Sequence, residues 1–484
     1  MRNKNNIKLS LILILFLSLS VILSSIILTK NAIITPIKSP IYDNTLNLKI
    51  SATYNTSLYI NDLPGNPNNW TWAKDQGYCT GAGTSNDPYI IQNDFFNNTG
   101  GISLSIYNSR KYFKILNCEF TTALIGIFLQ NATNGILEGN SFNDYALGID
   151  IANCSLITLL SNDITLCSMW GISIDNGKFI TCSYNTLTKC TLFAIYANDC
   201  HESSFNKNEV FQNDNIGLYF QICTSITISE NICNHNQGDG IYLQNSDDML
   251  VIGNTAYNNS NSGINVNSNG IDSNEILSNI VHFNRNDGIT LSNSDNNTIK
   301  NNNAYDNGQY GISLNSGSGQ NVLLNNLLTN NNYSGIRLSG NSMHNIILKN
   351  TASSNKEQGI FSDSCDFNAY TENVASNNHL NGIYLYDSNN NFVSQNTANN
   401  NAIGLNLTSS NNNMIIGNVL LNNVICISES GSTGNVFAEN YCELISTPVI
   451  DLALILLILS IIEGVVIAAL GSLLFIGKRK NKRE

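Results

Sequence analysis

Gly240-Ile241-Tyr242-Leu243-Gln244-Asn245-Ser246, followed after three residues by Leu250-Val251-Ile252-Gly253-Asn254, is the stretch on which the fold turns. Ile241 and Leu243 alternate with Tyr242, the period of a strand that points two residues inward and one outward. Asn and Gly punctuate the run, and both tolerate the left-handed backbone of turns. The same pattern, a Gly followed by Ile or Leu, any residue and an apolar one, recurs at Gly101, Gly126, Gly148, Gly171, Gly217, Gly240, Gly263, Gly288, Gly311, Gly335, Gly359, Gly382 and Gly404, with degenerate copies at Ala194 and Val424. Steps between copies run from 20 to 25 residues, with 23 the commonest. A second marker, an Asn 14 to 16 residues behind each Gly, keeps step from Asn117 and Asn140 through Asn254, Asn302 and Asn325 to Asn440.

A length of 484 residues would ordinarily suggest several domains, but a fixed period overrides that prior. Three short strands and three turns in about 23 residues make one coil of a parallel β-helix, and each coil buries its apolar residues only by stacking on its neighbours. The expected fold is all-β, a right-handed parallel β-helix of about 15 coils, roughly 70 Å long at about 4.8 Å per coil. A leucine-rich repeat shares the period, yet its convex side wants helix, and here that side reads as Asn, Ser and Thr, which disfavour helix interiors. Stacking in register also gives the 85 asparagines a purpose, because identical amides one coil apart hydrogen-bond as a ladder.

Net charge is −12, which makes nucleic acid a poor partner. Two apolar runs, Leu9 to Thr29 and Ile450 to Ile476, are each long enough to cross a bilayer as a helix. Arg2, Lys4 and Lys8 precede the first, and Lys478, Arg479, Lys480, Lys482 and Arg483 follow the second. Basic flanks stay in the cytoplasm, so both ends are expected inside and the middle outside, at the cell membrane. The first run also reads as a signal peptide. The expected division is 1–30 anchor or signal peptide, 31–77 linker and N-terminal cap, 78–445 β-helix, 446–477 transmembrane helix and 478–484 basic cytoplasmic tail. Within the second run, Glu463 needs a partner or a proton. Gly464, Ala468 and Ser472 share one helical stripe, the small-residue spacing through which membrane helices associate. Nine N-x-S/T sequons, Asn55 and Asn406 among them, are candidate glycan acceptors on an exported chain.

The coil pattern GIxLxNSxxNxIxxN resembles the repeats of the NosD-like and pectate-lyase-like superfamily of right-handed parallel β-helices, the carbohydrate-binding and sugar-hydrolase type. Tyr78-Cys79-Thr80-Gly81-Ala82-Gly83-Thr84-Ser85-Asn86-Asp87-Pro88-Tyr89-Ile90-Ile91 is similar to the segment that leads into such helices in archaeal surface proteins. The likeness covers about residues 78 to 445. It implies a fold that hosts lyases, hydrolases, epimerases, adhesins and metal-delivery proteins, so function must come from the site.

The motifs of enzymes in that superfamily are missing. Its lyases use clustered carboxylates for calcium and an Arg as base, and its polygalacturonases carry Gly-His-Gly and Arg-Ile-Lys, neither of which occurs here. No cofactor is expected; calcium stays open, though no motif marks it. The scattered Met and His residues offer no copper ligand set, and no C-x-x-C points to zinc. What remains for catalysis is His235 and Asp239 before Gly240, with His282, Arg285 and Asp287 before Gly288, two coils on. Equal phase places the two carboxylates on one edge about 10 Å apart, able to seat acid and base groups across a glycosidic bond, or serving only as turn residues.

The outward residue two after each Gly offers a binding surface. Tyr196, Tyr219 and Tyr242 occupy it on three successive coils, with Gln221 and Gln244 beside them, and Phe361 and Tyr384 on two more beside Arg337. Such a strip suits sugar rings, or stabilises the sheet by ladder contacts. Cys167 with Cys190, and Cys200 with Cys223, share phase on neighbouring coils, within reach of two disulfides or stacked as buried thiols. The function expected is a membrane-anchored surface protein that binds a polysaccharide or other surface partner. A polysaccharide-active enzyme and a purely structural rod are the alternatives.

Overall fold

The computed structural model describes residues 51–443. Both apolar terminal runs, with Glu463, Gly464, Ala468 and Ser472, lie outside them, and among the described residues no helix is long and apolar enough to cross a membrane. Most coils contribute three strands, as in Ile241–Gln244, Leu250–Ile252 and Thr255–Tyr257, while in the last coils the third is reduced to single bridging residues, Val374, Thr397, Val419 and Tyr441. These pair in parallel with the coils before and after, residue on residue, so that Leu218, Ile241 and Ile264 form one column. The second strands build a sheet of 16. First and third strands join in a sheet of 27, because Ser141–Ala152 and Asp163–Asp175 run through both faces.

The lumen is the core. Ile241, Leu243, Val251 and Ala256 are each 0% exposed, and full burial of an aliphatic side chain stabilises by about 1.5–3 kcal/mol. At the corners the buried groups are polar. Asn254 accepts at Oδ1 from the backbone N–H and the Nδ2 of Asn231, both at 2.9 Å, and donates from Nδ2 to Ile228 O (2.8 Å) and Asn279 Oδ1 (3.0 Å). Three such columns run along the solenoid, through Asn140 to Asn440, Asn213 to Asn423, and Asn274 to Asn435. The sequence pattern exposes only the first, and misplaces two of its members. Asn326, not Asn325, is the rung between Asn302 and Asn350, and Asn117 is a turn residue rather than the first rung. Both displaced residues hold φ near +50°, the second use of Asn in this chain.

Gly240 owes its identity to space. Its φ is not in the left-handed region, but a Cβ there would meet Gly263 O at 2.7 Å and Asn259 Nδ2 at 2.9 Å. The marker Gly sits where a ladder amide and the next coil crowd the backbone, whereas Gly253 (φ +66°) is a true turn glycine.

Residues ahead of the repeat form the cap. β1 (Thr53–Tyr54) and β2 (Leu58–Asn61) pair onto the first coils, and α1 (Trp70–Asp75) closes the N-terminal end, with Asn69 accepting from Trp72 N at its start. Trp70 is 1% exposed, stacks on Tyr89 and donates from its indole to Ser109 Oγ at 2.8 Å.

The proposed cysteine bridges are not formed. Cys167 and Cys190 lie thiol against thiol, as do Cys200 and Cys223, all buried and free. In-register parallel strands hold equivalent Cβ atoms near the strand spacing of about 4.8 Å, wider than the roughly 3.8 Å a disulfide prefers. The neighbouring thiol and burial also push Cys167 and Cys200 up, away from the reactive thiolate. Cys190 and Cys223 donate from N–H to Asn213 Oδ1 (2.9 Å) and Ser246 Oγ (3.0 Å), so these thiols head columns that Asn and Ser continue. Cys426 and Cys442 form the disulfide instead, Cα atoms 5.8 Å apart, at the C-terminal end.

Candidate functional site

The first-strand face carries one unbroken outward column. From Ser173 it passes through Tyr196, Tyr219, Tyr242, Asn265, Thr290, Ser313, Arg337, Phe361 and Tyr384 to Asn406, each opposite the next. Its aromatic members are half-exposed. Tyr196 and Tyr219 have ring centroids 5.3 Å apart, Tyr219 and Tyr242 5.1 Å, and Phe361 and Tyr384 5.2 Å. The strip read from the sequence exists, therefore, in two aromatic stretches separated by a polar one. Gln221 and Gln244 are not free beside it, because Tyr196 and Tyr219 donate their hydroxyls to these side chains. Those bonds fix the ring tilt. Burial, with the neighbouring phenols, pushes the Tyr219 hydroxyl up to about 12, so it stays a donor at any ordinary pH.

A second column runs alongside, made of the residue immediately before each marker. It reads Trp170, Phe193, Ile216, Asp239, Ser262, Asp287, Tyr310 and Ser334. Trp170 packs on Tyr196 (5.6 Å) and Phe193 on Tyr219 (4.9 Å), widening the first aromatic stretch to two columns. Sequence reasoning singled out the phase for its aspartates and missed Trp170, Phe193 and Tyr310, which share it.

Beside the polar stretch the second column supplies carboxylates. Asp239 (6% exposed) accepts at Oδ1 from Ser262 N (2.8 Å) and at Oδ2 from Asn265 Nδ2 (3.2 Å). Asp287 (8% exposed) accepts from Thr290 Oγ1 (2.8 Å) and Tyr310 N (3.1 Å), and the Ser262 and Thr290 hydroxyls, 3.2 Å apart, complete the chain between the two aspartates. Burial raises both carboxyls above their ordinary value; Asp287 adds to the rise at Asp239, and Arg337 opposes it at Asp287. The Arg337 guanidinium lies over the Tyr310 ring at 5.0 Å and 3.8 Å from Asp363, and its Nε is enclosed without a hydrogen-bond partner.

The other residues of the catalytic candidate set go elsewhere. His282 is on the third-strand face, sandwiched between Tyr257 (5.1 Å) and Tyr305 (4.8 Å), and burial lowers its pKa. His235 lies at a turn against the edge of Tyr257, and Arg285 is exposed at a corner. Arg337 is the cation that faces Asp287, brought there by stacking across two coils. Among the described residues no cluster of three His, Cys, Asp or Glu side chains suited to a metal is present.

Parallel strands stacked coil on coil around one apolar lumen define a parallel β-helix protein. The chain belongs to the family of right handed beta helix regions, which matches it over residues 65–192, 126–275, 193–352 and 267–397. A search of curated proteins gives no match. Among solved structures it is similar to the periplasmic alginate epimerase AlgG (13% identity, 72% of this chain and 84% of that one, TM-score 0.34). It is also similar to the A-module of the Azotobacter vinelandii mannuronan C-5 epimerase AlgE6 (12%, 72% and 88%, 0.35) and to the Dettilon tailspike protein (16%, 69% and 62%, 0.33).

Proposed function

We propose that this protein is anchored at the cell surface and binds an extended glycan along its first-strand face. The observation that carries the reading is the partly exposed column in which Tyr196, Tyr219 and Tyr242 stack, then Arg337, Phe361 and Tyr384, with Asn265 and Thr290 between and the buried Asp239 and Asp287 in the column beside it. Ring faces at each end suit the C–H faces of sugars, and the polar middle suits their hydroxyls. The basic-flanked apolar runs at both ends support the anchoring.

Tyr219→Ala with Tyr242→Ala tests this. Truncating a well-packed aromatic anchor costs on the order of 2 kcal/mol, so the pair weakens binding to a soluble polysaccharide by about two to three orders of magnitude while the melting profile is kept. Unchanged affinity, or no wild-type binding across a broad glycan panel, refutes the reading and leaves a structural rod. The buried Asp239 and Asp287 pair favours a second reading, acid–base cleavage of the bound chain. Release of new reducing ends or unsaturated products, lost in Asp287→Asn, would establish it.

A further inference from the structure

The corner where each third strand passes into the next first strand carries a groove that the first-face site does not include. Two outward columns bound it. One is Phe283, Asp306, Asn330, Ser354, Asn377 and Asn400; the other runs through Asn332, Lys356, His379, Ala402 and Val424. Backbone bonds such as His379 N to Asn355 O and Asn332 N to Asn307 O hold the coils in step. The buried ladder amides Asn355, Asn378 and Asn401 form its floor. It is shallow and open to solvent, its larger part measuring about 880 Å³ and its smaller about 340 Å³, and Ser354 and Lys356 line both, so the two are one groove. The smaller part ends at Phe283, a ring 53% exposed whose edge meets His282 (5.1 Å) and Tyr305 (6.4 Å).

We infer that this corner groove is a second glycan-binding site, recognising a hydroxyl-rich saccharide strand laid along the solenoid axis. One wall repeats an amide or hydroxyl once per coil, from Asn330 through Ser354 and Asn377 to Asn400, at about 4.8 Å. Amides both donate and accept, matching the duality of sugar hydroxyls. Phe283 supplies the apolar platform at one end. Asp306, Lys356 and His379 are the ionisable groups in the lining, too few and too mixed in sign to select a polyanion. With the first face, the groove gives one rod two attachments, whose joint affinity exceeds either alone.

The test uses full-length protein in detergent and affinity electrophoresis through hydroxyethylcellulose, laminarin and polygalacturonate. Ala402→Trp fills the groove from a column that already carries Lys, His and Val, and Phe283→Ser removes the platform. The four-fold variant Tyr219→Ala, Tyr242→Ala, Phe361→Ala, Tyr384→Ala erases the first face. Retardation by a neutral polysaccharide is expected to persist in the four-fold variant and to fall at least tenfold when Ala402→Trp and Phe283→Ser are added, with the melting midpoint unchanged. Phe283→Ser alone carries the test if Ala402→Trp disturbs folding. Retardation insensitive to the groove substitutions in either background overturns the inference, as does a four-fold variant that binds nothing where the wild type binds. A four-fold variant that binds like the wild type while groove variants fail sinks the first-face reading and leaves the groove.

Discussion

Replacing Asn254 by Leu removes one rung of the first ladder, and the cost can be counted from its bonds. Its Oδ1 receives the Asn231 N–H and one Asn231 amide hydrogen; its Nδ2 serves Ile228 O and Asn279 Oδ1. Asn231 keeps a bond to Phe205 O, Asn279 keeps the Asn254 N–H, and the Ile228 carbonyl keeps the ladder bond that its parallel register with Leu250–Ile252 provides, so one group carries the loss, the Asn231 N–H. Stranding a buried donor costs about 1–3 kcal/mol, so the substitution costs about 1–3 kcal/mol, offset in part by the added apolar contact. Stacked repeats open locally, so hydrogen exchange followed by mass spectrometry is the assay. Backbone amides in the coils from Asn208 to Asn302 should lose protection by at least about fivefold, since 1.4 kcal/mol is a factor of ten, while coils near Phe120 keep theirs. Asn258, an exposed turn residue at φ +53°, is the control, and Asn258→Gly should change exchange little. If Asn254→Leu exchanges like that control, the ladder is decoration and the account of the Asn content fails.

Three further outcomes follow from the same geometry. Thiol titration should find no reactive group in the native protein, ten after unfolding and twelve after reduction, since ten cysteines are buried and free and Cys426 is joined to Cys442; eight or fewer without reductant would restore the bridges this structure lacks. Reducing that disulfide, which closes a segment of sequence separation 16, should cost the last coil about 3 kcal/mol, seen as faster exchange confined to residues beyond Gly404. Asp272 is 1% exposed, its carboxylate oxygens have no hydrogen-bond partner, and burial, opposed in part by the nearby Ser268, Ser294 and Asn297, pushes the carboxyl from 3.8 up to about 6. A folded value above the unfolded one gives stability that is complete below 3.8 and lost as pH rises through about 6. The melting midpoint should therefore be higher at pH 5 than at pH 7, and Asp272→Asn should shrink that difference; an identical profile in the variant refutes the assignment.

The chain's own order of residues determined the solenoid. A 23-residue step between glycines, with two apolar residues in each first strand, requires stacked repeats to bury Ile241 and Leu243, the Asn, Ser and Thr of the remaining sides turn that stack into a β-helix rather than a leucine-rich repeat, and equal phase already placed Tyr196, Tyr219 and Tyr242 in one line. Phase along the chain, however, says nothing of direction at a corner. His235 and Asp239 are four residues apart, yet a turn lies between them and sends them to different faces, while Arg337 reaches Asp287 only because two coils stack. The same limit hid Trp170 and Tyr310, and it separated Asn325 from Asn326, since a turn residue and a buried rung are chemically identical and differ only in which way the backbone bends. Which cysteines bond was settled by tertiary geometry too. Neighbours in register are held parallel, and only at the last coil does the chain bring two Cα atoms to 5.8 Å in a bonding arrangement.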